Sequence, residues 1–197
     1  MNRRPALGCL LEIVETLVLT FVIFWVIQSF VAQPYKVQGE SMERTLEPDQ
    51  YVLVDKLTPR FDTYKRGDIV VFQPPAGWVQ VGGEPFIKRV VGVGGDTVEL
   101  RDGDVFVNGV QLDEGYVYQD DGHAQATEDL AGVGRWPVPT GEVFLMGDHR
   151  GNSADSREFG PVDVRQVIGR ASLRYWPIDA FEIIPTPSHP ELEAPAP

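Results

Sequence analysis

The chain has 197 residues, 43% of them hydrophobic, enough for one domain of ordinary size plus an anchor. Its net charge is −12, and because Arg3 and Arg4 offset Glu12 and Glu15, the excess negative charge follows the first hydrophobic run and argues against a nucleic-acid partner. The single cysteine, Cys9, excludes an intramolecular disulfide and reads as a small apolar residue in a helix rather than a lipidated thiol.

Residues 7–32 are mostly apolar, and 17–27 carry no charge, glycine or proline. About 20 helical residues span a bilayer's hydrocarbon core, so the pattern predicts a transmembrane helix over 10–32, with 1–9 as a short tail. Arg3 and Arg4 precede the run and no basic residue returns until Lys36, which places the N-terminus in the cytoplasm and the remainder outside. A cleavable signal peptide ending near 29–32 is the competing reading; the length of the run and the acidic flank of Glu12 and Glu15 weigh against it.

After the anchor the hydrophobic period changes to two. Strands are predicted over 51–54, 68–72, 86–91, 97–100, 105–107, 142–146 and 167–176, all rich in β-branched and aromatic residues. Arg66-Gly67, Asp102-Gly103 and Asn108-Gly109 supply turn dipeptides between them. The expected fold class is mostly β, an antiparallel sheet. Its core should cover 33–110 and 141–184, with a small inserted lobe at 111–140, where Gly, Asp and Glu accumulate. The proline-rich stretch 185–197 is expected to be disordered.

Three motifs fail on context. Gly92-Val93-Gly94-Gly95-Asp96 follows a strand but leads into another strand, so it is a turn and not a phosphate loop. Arg66-Gly67-Asp68 opens a hydrophobic strand, which suits a turn better than an adhesion signal. His123, His149 and His189 lack metal-ligand spacing, so no metal site is expected.

Ser41, in Gly39-Glu40-Ser41-Met42, lies about a dozen residues beyond the apolar run. A serine attacks a carbonyl only when a nearby base takes its proton, and a lysine serves if burial lowers its pKa from about 10.4. Lys88 lies between Phe86-Ile87 and Val90-Val91, and strand alternation puts Phe86, Lys88 and Val90 on one face. A strand lysine is ordinarily solvated at its tip, and Gly-x-Ser-Met alone is a common tetrapeptide.

The combination is more specific. Residues 10–176 resemble the type I signal peptidases, membrane-anchored Ser/Lys endopeptidases. The likeness rests on the anchor and four boxes in order: Val37-Gln38-Gly39-Glu40-Ser41-Met42-Glu43-Arg44-Thr45-Leu46, Arg66-Gly67-Asp68-Ile69-Val70-Val71-Phe72, Ile87-Lys88-Arg89-Val90-Val91-Gly92-Val93-Gly94-Gly95-Asp96, and residues 146–160 from Met146-Gly147-Asp148-His149 to Glu158-Phe159-Gly160. The resemblance implies a signal-peptidase partial barrel, Ser41 as nucleophile, Lys88 as general base and Ser153 as the hydroxyl orienting the amine. Asp148, Asp155, Arg157 and Arg89 become the supporting polar set, and the backbone N–H of Ser41, next to Gly39, serves the oxyanion hole, the second donor being left open.

Val37, Gln38, Gly39, Met42, Phe86 and Ile87 are expected to line an extended substrate, with small side chains at the first and third positions before the cleaved bond. No cofactor or metal is implied. The partners are secretory preproteins and the lipid bilayer, and the setting is the bacterial cytoplasmic membrane with the catalytic domain on its outer face. Two positions depart from the family pattern: Arg44 stands where proline is usual, removing a restraint on φ, and His149 stands where asparagine is frequent and is expected to be structural rather than a rival base. Two other readings remain, a self-cleaving Ser/Lys protease, for which no DNA-binding module is visible, and a tethered β domain that only binds, which leaves the boxes as coincidence.

Overall fold

The computed structural model describes residues 4–78 and 83–192. Helix α1 covers Arg4–Val26 and widens into a π-helical turn, Ile27–Val31. Within it Gly8–Val31 is 24 residues with a mean hydropathy of 2.3 and exposed side chains, long and apolar enough to cross a membrane. The helix starts within the expected 1–9 tail, of which residues 1–3 lie outside the described residues.

Strands follow in the order β1 Ala32–Lys36, β2 Tyr51–Asp55, β3 Ile69–Phe72, β4 Phe86–Val93, β5 Thr97–Arg101, β6 Asp104–Val107, β7 Val110–Gln111, β8 Gln119–Asp120, β9 His123–Ala124, β10 Arg135–Pro137 and β11 Glu142–Met146. The short helix α2, Ser156–Phe159, precedes β12 Val162–Asp163, β13 Val167–Trp176 and β14 Glu182–Ile183. The main antiparallel sheet runs β1-β2-β13-β3-β4-β11-β12, and β14 pairs with β13. Register irregularities in β13, between Ala171 and Leu173 and between Arg174 and Trp176, let that strand bend while it pairs with β2. Another, between Phe144 and Leu145 in β11, lies against β4.

A second sheet, β10-β5-β6-β7, packs Val98, Val105, Val107 and Trp136 against Val91, Phe144 and Met146 of the main sheet. Its tight hairpins turn at Asp102-Gly103 and Asn108-Gly109, all four residues having positive φ, as primed turns require. Gly92 allows the close approach: a Cβ there would lie 2.7 Å from Val98 Cγ2.

The seven predicted strands all form, whereas β1, β7–β10, β12 and β14 were not expected. The boundary at 111 also moves, since the smaller sheet takes in residues from Thr97 onward. Alternation marks 97–107 as strand, but the sheet it joins is decided by the distant Trp136 and Val138. The expected disorder from 185 is corrected as far as 192. Ile184 N–H bonds Ser172 O (3.0 Å), Thr186 Oγ1 donates to Asp68 Oδ1 (2.8 Å), and Leu192 packs on the smaller sheet's core. Prolines limit the chain's freedom there, so a few anchoring contacts suffice to hold it. Residues 193–197 of that tail lie outside the described residues.

Candidate active site

Ser41 lies in a tight turn beyond β1, where Glu43 N–H bonds Glu40 O (3.0 Å) and Leu46 N–H bonds Met42 O (2.7 Å). Met42 and Leu46, both 0% exposed, sink the turn into the core beside Val37, Val52 and Ile69. Val37 N–H to Gln50 O (2.8 Å) and Asp49 N–H to Val37 O (2.9 Å) close its base. The Ser41 carbonyl accepts His149 N–H (3.0 Å), so the turn is stitched to the loop after β11. Gly147 makes room for that stitch: a Cβ there would stand 2.5 Å from Ser41 O and overlap the Ser153 hydroxyl.

Lys88 reaches the serine from β4. Opposite Val70 in the β3–β4 register, it shares its face with Phe72 and Phe86, and its Nζ stands 5.5 Å from the Phe86 ring centroid. Only 4% exposed, Lys88 donates to Ser41 Oγ at 2.6 Å. Burial pushes its pKa down to about 8, against the upward pull of the Asp155 and Asp148 carboxylates. A lysine that deprotonates near pH 8, already in hydrogen-bond contact with a half-buried serine, can when neutral receive that serine's proton along the same line.

The supporting groups form two buried ion pairs. Arg89 grips Asp148 through Nε (2.8 Å) and Nη2 (2.7 Å), with Thr45 Oγ1 donating to Asp148 Oδ2 (2.6 Å) and the Tyr116 ring 4.0 Å from the guanidinium carbon. Arg157 holds Asp155 through Nε and Nη2, both at 2.9 Å. Burial raises the Asp155 carboxyl, but hydrogen bonds from Arg157, Gly147 N–H and Ser153 outweigh it and hold the group below the usual carboxylate range.

Several sequence expectations need correction. The Ser153 hydroxyl donates to Asp155 Oδ2 (2.7 Å); among the described residues the amine's hydrogen-bond partner is Ser41, not Ser153. Val37, 2% exposed, and Met42, 0% exposed, are core residues and do not present side chains to a substrate. Gln38 and Gly39 are exposed beside Ser41, and Phe86 and Ile87 are half-buried. Arg44 is more than a lost restraint: its φ of 80° is one that a proline ring cannot adopt, and its Nη1 donates to Val117 O of the insertion. His149 pairs with Glu43 through Nδ1 (2.8 Å) and stacks on Tyr118 with ring centroids 4.0 Å apart, a structural setting. Thr45, Glu114 and Tyr116 were missed. Glu114 pairs with the buried Arg150, and nothing local in the sequence links either to the site. A cavity of about 620 Å³ near Tyr64 and Val143 is walled by neither Ser41 nor Lys88.

The signal peptidase, peptidase S26 family model matches residues 10–176. The chain is 36% identical over 184 residues to a signal peptidase I of Leptolyngbya laminosa, covering 91% of this chain and 87% of the relative. It is 32% identical over 183 residues to signal peptidase IB of Staphylococcus aureus, covering 88% and 93%. A crystal structure of a signal peptidase I from Enterococcus faecalis V583 is 33% identical and superposes with a TM-score of 0.42, covering 55% of this chain and 97% of that one. With matches that run through both the Ser41 turn and the Lys88 strand, the chain belongs to the signal peptidase family, peptidase S26.

Proposed function

We propose that this protein is a membrane-anchored serine endopeptidase that removes signal peptides from secretory preproteins, with Ser41 as nucleophile and Lys88 as general base. The observation carrying this reading is the 2.6 Å contact between Ser41 Oγ and a nearly inaccessible lysine amine. The neutral amine takes the hydroxyl proton as Oγ attacks the scissile carbonyl, then hands it to the departing amine; water hydrolyses the acyl-enzyme by the reverse relay. The oxyanion is met by Ser41 N–H, for which no acceptor stands among the described residues. Ser153 acts one step back, orienting Asp155, whose charge opposes complete loss of the lysine's proton affinity.

Substrate lies extended along the unpaired edge of β1 and past the exposed Gln38-Gly39, using main-chain hydrogen bonds for affinity. Helix α1 crosses the cytoplasmic membrane once, N-terminus inside, so that enzyme and emerging substrate share one surface and meet at high effective concentration. The test is cleavage of a preprotein by the detergent-solubilised full chain. Ser41→Ala and Lys88→Ala should each lose at least a thousandfold in kcat/KM, and the wild-type rate should rise with pH through about 8 as Lys88 deprotonates. Undiminished cleavage by either variant overturns the assignment, and a rate that does not rise through about pH 8 removes Lys88 as the base.

A further inference from the structure

Most of the described basic side chains outside the active site are matched by a carboxylate, as expected in a chain of net charge −12. Lys56 and Arg60, on the loop after β2, are not. Lys56 Nζ donates to two uncharged acceptors, Gln33 Oε1 (2.8 Å) and Gln28 O (3.2 Å), and the Arg60 guanidinium lies 5.5 Å from the Phe30 ring centroid. The loop is fixed to the end of the anchor by Lys56 N–H to Val31 O (2.8 Å). Both cations thus stand where the apolar span Gly8–Val31 ends, beside the edge-on aromatic pair Trp25 and Phe30, whose ring centroids are 6.2 Å apart. Aromatic residues of this kind favour the headgroup level of a bilayer, and Leu57 (41%) and Phe61 (85%) are left exposed on the same loop.

A cavity of about 310 Å³ opens at this junction. Phe21, Phe24 and Trp25 of α1 form its apolar wall, and Gln28, Gln33 and Lys56 its polar end. No carboxylate lines it. The neighbouring larger cavity shares only Lys56 with it, and though Arg60 lines that cavity, so do Asp62, ion-paired to Lys65 (2.9 Å), and Glu142; it is therefore the poorer seat for an anion.

We propose that Lys56, aided by Gln28 and Gln33 within this cavity and by Arg60 beside Phe30 next to it, holds the phosphate of an anionic phospholipid whose acyl chain lies along Phe21, Phe24 and Trp25. This rests on α1 being membrane-embedded. The guanidinium can meet two phosphate oxygens side by side while the ammonium adds a point charge, and neither must first leave a carboxylate. A soluble phosphate would satisfy the cations but leave the aromatic wall uncovered, whereas a lipid covers both. The site also fastens the first loop of the β domain to the bilayer and so limits how that domain can tilt about its anchor.

The full chain, reconstituted in phosphatidylcholine nanodiscs with trace spin-labelled phosphatidylglycerol or phosphatidylcholine, gives the preference of protein-contacting lipid for the anionic head. The wild type should prefer phosphatidylglycerol about three- to tenfold, and Lys56→Gln/Arg60→Gln should bring the ratio close to one. Arg101→Gln/Arg135→Gln, which removes the same charge from the smaller sheet, should keep the wild-type ratio, and Lys56→Arg should keep it too. No preference in the wild type, or an unchanged preference in the Lys56/Arg60 variant, overturns the proposal. Displacement of the labelled lipid by glycerol phosphate, but not by chloride of equal ionic strength, makes this a soluble-phosphate site and overturns the lipid. Failure of the chain to float with vesicles would remove the membrane reading itself, whereas flotation without lipid preference removes this site alone.

Discussion

At the scale of single residues, the burial of Lys88 costs the fold stability. Its folded pKa of about 8 lies below the ordinary 10.5, so between those values the unfolded chain binds more protons and stability rises with pH. Below about pH 8 both states carry the charge and the folded state bears the whole cost of burying it. Lys88→Met, which keeps the bulk without the charge, should therefore raise the unfolding free energy by about 1–3 kcal/mol at pH 6–7. The gain should fade as pH approaches 10.5, and chemical denaturation across that range reads it out. A gain independent of pH would mean that Lys88 is not held charged against burial. The pairing of Ser41 with Lys88 was legible because their neighbours form recognisable boxes and because alternation puts Lys88 among apolar side chains. Val37 and Met42 misled for the same reason, since closeness in sequence to the nucleophile does not reveal that both side chains point into the core.

At the scale of elements, the loop from Met146 to Ser153 sets the distance between turn and strand. Gly147 is its narrowest point, pressed between the Ser41 carbonyl and the Ser153 side chain. Gly147→Ala should displace Ser41, the proposed nucleophile, by a fraction of an ångström to about an ångström and so reduce kcat by about ten- to a hundredfold. Its thermal unfolding midpoint should fall by only a few degrees, as the buried pairs Arg89–Asp148 and Arg157–Asp155 remain. Steady-state kinetics beside a thermal melt separate the two effects, and normal kcat would show that the loop yields without moving Ser41. The longer strands could be read from period-two alternation. Two-residue strands such as β7, β12 and β14 could not, because pairing with a distant partner rather than local composition makes them strands. The Arg150–Glu114 pair, spanning 36 positions, was hidden for the same reason.

At the scale of the whole molecule, the two sheets share one core through Val91, Phe144 and Met146, and the C-terminal segment runs across both. From β14 it passes Asp68 and Gly67, where a Cβ on the glycine would lie 2.7 Å from Pro187 O, and brings Leu192 onto the smaller sheet. A chain stopped after residue 184 should lose about 1–3 kcal/mol of stability, from Leu192 and the Thr186 bond together, measurable by denaturant unfolding of the full-length and shortened forms. Unchanged stability would make the segment a passive covering. Composition pointed the other way, because a proline-rich stretch with few apolar residues ordinarily cannot offset its own ordering. Here a single leucine and a single threonine find sites already built by the rest of the chain. Because residues 185–192 are synthesised after every strand they cross, the two sheets can pair before their strap exists, and the fold gains its last increment of stability only once that segment has been made.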